Sequence, residues 1–133
     1  MNVEEVAAAF AGAISSKDIE RLSEMMTDDH VFIDSDGTEV KGRHKMRKGW
    51  REYFAMVPDF RITIKEILSR NDTVVLLGRS EGTFVQGGVL RPENHWSVPS
   101  AWRVVVRGEQ VAVWQVYVNP EPLRGILERI NAE

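Results

Sequence analysis

An α+β fold follows from three features of the 133-residue sequence. Apolar residues recur mostly at helical spacing up to Pro58 and alternate with period two from Phe60 onward, so helices fill the first half and strands the second, apart from a short strand pair at Val31–Val40 and a short last helix. A parallel α/β sheet would require helices and strands to alternate along the chain, so the segregation argues against one. No linker, low-complexity stretch or internal repeat breaks the chain, and its length suits one domain spanning residues 1–133.

The elements can be read in order. Asn2 followed three positions later by Glu5 has the form of a capping box, and Val3, Val6, Phe10 and Ile14 then keep one helical face. Ser15-Ser16 breaks that helix. Ile19, Leu22, Met25 and Met26 form a second short stripe that Thr27-Asp28-Asp29 stops. Val31-Phe32-Ile33 reads as a strand, turned at Ser35-Asp36-Gly37 and returned through Val40. A third helix after Gly42 carries Met46, Trp50, Tyr53, Phe54 and Val57, and Pro58 ends it by forcing the preceding residue out of helical geometry.

Beyond Pro58, Phe60, Ile62 and Ile64 alternate with Arg61, Thr63 and Lys65. A strand then runs from Asn71-Asp72 through Phe84 to the Gly87-Gly88 loop. The next, about Trp96 to Arg107, turns at Gly108-Glu109 and returns from Val111 to Val118. Asn119-Pro120 opens a short last helix with Leu123, Ile126, Leu127 and Ile130.

The segment Val111–Val118 is apolar on both faces, whereas an antiparallel strand with one wet face should alternate. Three or four short helices can cover one face, so a second subunit is expected on the other. This reading points Val113, Gln115 and Tyr117 inward. It puts Trp114, Val116 and Val118, with Ala101 and Val105, on an outer homodimer face.

Composition narrows the function. With 17 basic and 20 acidic residues the net charge is −3, and no Lys/Arg run interleaves with aromatics, so a nucleic-acid partner is not expected. The absence of cysteine removes disulfides, thiol nucleophiles and cysteine-type zinc sites together. His30, His44 and His95 lack metal-ligand spacing, so neither metal nor cofactor is expected. An acidic N-terminus and the lack of a long apolar run suggest a cytoplasmic protein without a membrane partner.

The order helix, helix, Asp-tipped strand, helix ending in Met-Val-Pro-Asp-Phe, then long antiparallel strands resembles the nuclear transport factor 2 superfamily. Within it the chain is similar to SnoaL-like and ketosteroid-isomerase-like proteins. The resemblance covers roughly residues 3–118. It rests on Ser16-Lys17-Asp18-Ile19-Glu20-Arg21-Leu22, Phe32-Ile33-Asp34, Gly42-Arg43, Ala101-Trp102-Arg103 and Val113-Trp114-Gln115-Val116-Tyr117. It implies a cone-shaped, curved, mixed but mostly antiparallel sheet wrapped around the three N-terminal helices. Such folds host isomerases, cyclases, dehydratases, epoxide hydrolases and plain binding modules, so the resemblance speaks to fold more than to chemistry.

For chemistry the resemblance singles out Asp34, which matches the general base of ketosteroid isomerases by its place after Phe32-Ile33. The plain alternative is that Asp34 only opens the Asp34-Ser35-Asp36-Gly37 turn. The isomerase oxyanion donors do not carry over: the helix tyrosine falls on Phe10 and the late-strand acid falls near Ser100. No late-strand acid is present for epoxide hydrolase or cyclase chemistry, and only His30 sits on an inward strand position. Trp50, Tyr53, Trp96, Ser100, Trp102, Gln115 and Tyr117 are the expected lining of a small-molecule pocket, although Trp50 and Trp102 also suit a packed core. Three functions remain open on these residues. The first is binding of a small apolar or cyclic molecule, where any catalysis would be cofactor-free isomerase- or cyclase-like chemistry with Asp34 as base. The second is a non-catalytic ligand-binding or dimerisation module. The third is a protein-interaction scaffold, which would need an exposed apolar patch beyond the dimer face.

Overall fold

A computed structural model describes all residues, Met1–Glu133. Its first helix, α1 (Val3–Ser15), starts on the capping box read from sequence: the Glu5 backbone N–H donates to Asn2 Oδ1 at 2.8 Å and the Asn2 N–H donates to Glu5 Oε1 at 3.0 Å. Helix α2 (Ile19–Met25) is capped by Asp18. It gives way to strand β1 (Met26–Ile33) without a loop, so the strand begins earlier than the Val31 start expected from apolar pattern. The cause is tertiary. His30 and Met26 are completely buried, and the main chain of β1 is held by Gly42 N–H to His30 O and by the Arg43 guanidinium on Met26 O.

After β2 (Glu39–Lys41), helix α3 (Arg43–Met56) buries Met46, Trp50 and Phe54 and stops two residues before Pro58, as that proline requires. The remaining strands are β3 (Arg61–Arg70), β4 (Thr73–Gln86), β5 (Val89–Arg107) and β6 (Gln110–Val118), and α4 (Glu121–Ala132) closes the chain. The six strands form one open sheet in the order β2-β1-β6-β5-β4-β3. Every pairing is antiparallel except β1 with β6, which makes the sheet mixed, and the fold is α+β.

Register shifts interrupt the β3–β4, β4–β5 and β5–β6 ladders, and such bulges bend and twist a sheet. Helix α1 lies across β3 to β6 on the face that buries Val74, Leu76, Trp102, Val104 and Trp114. Two glycines permit the tight packing on β4. A Cβ on Gly78 would stand 1.8 Å from the Thr63 carbonyl oxygen, and one on Gly82 would stand 2.4 Å from Val57 Cγ1.

On β5 the burial alternates cleanly, with Asn94, Trp96, Val98, Ser100, Trp102, Val104 and Val106 buried. The opposite face of β4, β5 and β6 carries no helix of this chain. This corrects the face expected for β6. Trp102 pairs with Val116 and Val104 with Trp114, and residues directly opposite in a ladder share a face. Trp114, Val116 and Val118 therefore point inward, and Gln115 and Tyr117 point outward. A strand apolar on both parities carries no phase of its own, and a shift of one residue exchanges its faces.

Helix α4 has no fully buried residue. Leu123, Ile126, Leu127 and Ile130 lie half-buried against the core. Its last turn is tied down by Arg129, which donates to the Glu93 carbonyl and to Asn94 Oδ1, and by a Gln86–Glu133 contact. Asn94 is itself 1 % exposed and donates to Phe84 O and Gln86 Oε1. No helix in the chain is long and apolar enough to cross a membrane.

Candidate functional site

Between α3, the concave side of the sheet and the first turn of α4 lies a cavity of about 460 Å³ with a mainly apolar wall. Four tryptophans line it. Trp50 comes from α3, Trp96 and Trp102 from one parity of β5, and Trp114 from the facing parity of β6. Their rings pack in two clusters: in one, Trp102 and Trp114 lie 6.1 Å apart between centroids; in the other, Trp50 stacks on Phe54 at 5.5 Å and Phe60 sits 5.8 Å from Trp96. The indole nitrogens of Trp50, Trp96 and Trp114 are buried without a hydrogen-bond partner, so these rings offer the cavity carbon surface.

Polar groups are few. Asp34, Ser35 and Asp36 come from the β1–β2 turn, Tyr53 from α3, Ser80 from β4 and Arg124 from α4. Asp34 is exposed at the rim, and its Oδ1 accepts the Ser35 N–H at 2.7 Å while its main chain pairs with Thr38 and Gly37. The turn reading and the pocket reading thus both describe this residue, since a carboxylate has a second oxygen. Tyr53 is half-buried one helical turn from Trp50, with 6.1 Å between ring centroids. Burial, aided by the nearby negative charge of Asp34, holds the Tyr53 phenol above its ordinary range. It is a neutral donor at any working pH. Backbone and side-chain bonds from Thr38 hold the exposed Asp36 below the usual carboxylate range, and the Arg124 charge contributes to the same shift.

Of the residues read from sequence, Asp34, Trp50, Tyr53, Trp96 and Trp102 come together around this cavity. Ser100 stands directly behind the wall, with its Oγ 2.7 Å from Ser80 Oγ. Two do not belong. Gln115 lies on the outer face, where its Oε1 accepts from Arg103 at 3.2 Å, and Tyr117 is 52 % exposed on that same face. In their place the cavity takes Trp114, Val116 and Val118 from the other parity of β6. Sequence reasoning also missed Ser80, which no local pattern marks, and Arg124, which looks like an ordinary exposed position of an amphipathic helix.

His30 is fully buried against Phe10 and does not reach the cavity. Its Nδ1 donates to Val111 O at 2.7 Å, its Nε2 has no partner, and burial lowers its pKa from the ordinary value. His44 and His95 are exposed, and no three His, Asp or Glu side chains converge as a metal cluster.

An open, bent α+β sheet packed on three helices, with an aromatic cavity between, defines the cone-shaped nuclear transport factor 2-like class. The model of the SnoaL-like domain family matches residues 6–116, and the chain belongs to that family. No curated protein matches it in sequence.

Solved structures share its fold at low identity. A protein of Shewanella putrefaciens CN-32 assigned as a SnoaL-like polyketide cyclase superposes with a TM-score of 0.81 at 13% identity, covering 97% of this chain and 98% of that one. An LEH-like epoxide hydrolase of M. tuberculosis gives 0.78 at 15% identity, covering 98% and 92%. A Catenulispora acidiphila DSM 44928 protein with a ketosteroid isomerase-like fold, solved in complex with trimethylamine, gives 0.76 at 22% identity, covering 96% and 92%. At such identities the likeness extends to the fold and stops there.

Proposed function

We propose that the protein binds a small apolar or cyclic molecule in the aromatic cavity and acts on it by cofactor-free acid–base chemistry of an isomerase or cyclase kind. The observation that carries this reading is the convergence of a carboxylate and a phenol on one largely apolar space: Asp34 and Tyr53 both line it, and the Tyr53 hydroxyl feels the Asp34 charge. Asp34, open to the rim, accepts a proton from carbon or from water. Tyr53, kept neutral, donates a hydrogen bond to the oxygen on which negative charge grows. The tryptophans position the substrate by contact area.

The test is turnover of a panel of small enones, epoxides and lactones by the native protein and by Asp34→Asn. Loss of about 10²–10⁴ in turnover with retained ligand affinity is expected for a general base. Equal turnover in the two proteins removes Asp34 from the mechanism. It then favours a ligand-binding module of the same fold, a reading that the exposure of Asp34 and its bond to Ser35 N–H already accommodate.

We further propose a cytoplasmic homodimer in which the outer faces of β4, β5 and β6 meet. Val75, Leu77, Ala101, Val105 and Val113 lie there half-buried, with Tyr117 exposed, and no helix of the chain covers them. Light scattering at micromolar concentration should give about twice the chain mass of 15.1 kDa. A particle of single-chain mass excludes the dimer.

A further inference from the structure

Among the residues of β3 to β6 that line the cavity, all are apolar except Ser80. It is 6 % exposed, and its Oγ lies 2.7 Å from that of Ser100, which is 7 % exposed. Ser100 Oγ also reaches the Val98 carbonyl, at a long 3.3 Å. The two hydroxyls come from neighbouring strands, offset by one pair on the inward face, since Ser80 pairs with Val98 and Gly78 with Ser100. Burying hydroxyls in an aromatic wall is unfavourable unless their bonding capacity is met.

The two hydroxyls share two protons. When Ser100 donates to Val98 O, Ser80 donates to Ser100 and leaves its own lone pairs facing the cavity. When Ser100 donates to Ser80, the Ser80 proton is free to enter the cavity, at the expense only of the long bond to Val98. Rotation about two C–O bonds therefore turns the wall from acceptor to donor.

We infer that the Ser80–Ser100 pair is an oxygen-recognising subsite, which receives a carbonyl or hydroxyl of the ligand away from the Asp34 rim. This rests on the reading of the cavity as a ligand site and specifies its substrate class: a compact ring or chain that carries at least one keto or hydroxyl oxygen. Ser80 is then a specificity residue that touches the ligand, and Ser100 a positioning residue that sets which way Ser80 points.

The experiment compares equilibrium binding of three probes with one carbon frame, tetralin, 2-tetralone and 2-tetralol, by ligand-observed NMR titration. Hydrophobic burial alone would favour tetralin. The native protein is expected to bind the ketone and the alcohol roughly three- to tenfold more tightly than tetralin, the usual worth of one hydrogen bond. Ser80→Ala should abolish that preference without weakening tetralin binding. Since Ser80→Ala alone leaves Ser100 with only its long bond to Val98 O, the double variant Ser80→Ala/Ser100→Ala, which removes both partners together, serves as the folded control and should lose the preference in the same way.

A preference that survives in the double variant, or vanishes instead in Tyr53→Phe, assigns the oxygen elsewhere and overturns the inference. So does a native protein that binds all three probes but prefers tetralin. If the native protein binds none of the three, the cavity reading itself fails and the subsite falls with it.

Discussion

Trp102 and Val116 stand opposite each other in the β5–β6 ladder and both face the cavity, so one strand pairing decides which half of β6 meets a ligand. Trp102 is 2 % exposed and packs on Trp114. Trp102→Ala should lower stability by about 3–5 kcal/mol, the range for emptying a large buried aromatic site, and should weaken any cavity ligand. Gln115→Ala, on the other face, should leave ligand affinity unchanged. Urea unfolding and one ligand titration of each variant check this. An affinity loss confined to the Gln115 variant would reverse the assignment of faces.

Tyr53 should stay protonated well past the pH at which a free tyrosine ionises, because burial and the Asp34 charge both oppose the phenolate. In an absorbance titration of tyrosinate, the step missing from Tyr53→Phe should be the one at higher pH. If the missing step lies at ordinary tyrosine pH, Tyr53 is solvated and its role as a neutral donor in an apolar site is lost.

His30 gives the protein an acid-sensitive core. Its folded-state pKa is lowered from 6.5, mainly by desolvation and against the bond to Val111 O, so the unfolded chain takes up the proton first. With more protons bound to the unfolded state, stability rises with pH. The His30 contribution is full above pH 6.5 and is lost progressively as pH falls below it, toward the depressed folded value. Urea midpoints between about pH 8 and pH 5 should fall less steeply for His30→Gln than for the native protein. Parallel profiles would show that His30 does not carry the effect.

Gly82→Ala should be costly although alanine suits a strand better than glycine. The added Cβ would stand 2.4 Å from Val57 Cγ1 and 3.3 Å from the Trp96 ring, and both of those residues are buried. Overpacking of this kind typically costs about 1–3 kcal/mol. A thermal melt equal to that of the native protein would mean that the α3–β3 connection yields freely, and that the wall of the cavity beside Trp96 is soft.

What the sequence alone determined is local. Asn2 with Glu5 fixes the start of α1, and Pro58 fixes the end of α3, because each acts through its own backbone neighbours. The single buried parity of β5 was legible from Trp96, Trp102 and Val104, and Asp34 was legible as the tip of β1 beside a turn. What only the tertiary structure decided is non-local. β6 is apolar on both parities, so its phase comes from pairing with β5, and that pairing sends Trp114 to the cavity and Tyr117 to the outer face. Ser80 reads as an unremarkable strand residue and Ser100 only as expected pocket lining; their pairing, twenty positions apart in sequence, appears when β4 and β5 bring the hydroxyls to 2.7 Å. Arg124 reaches the cavity because Arg129 and Asn94 anchor the far end of α4. Periodicity reports whether one side of a strand is buried, but which side meets a ligand depends on register between strands, and register is a property of the assembled sheet.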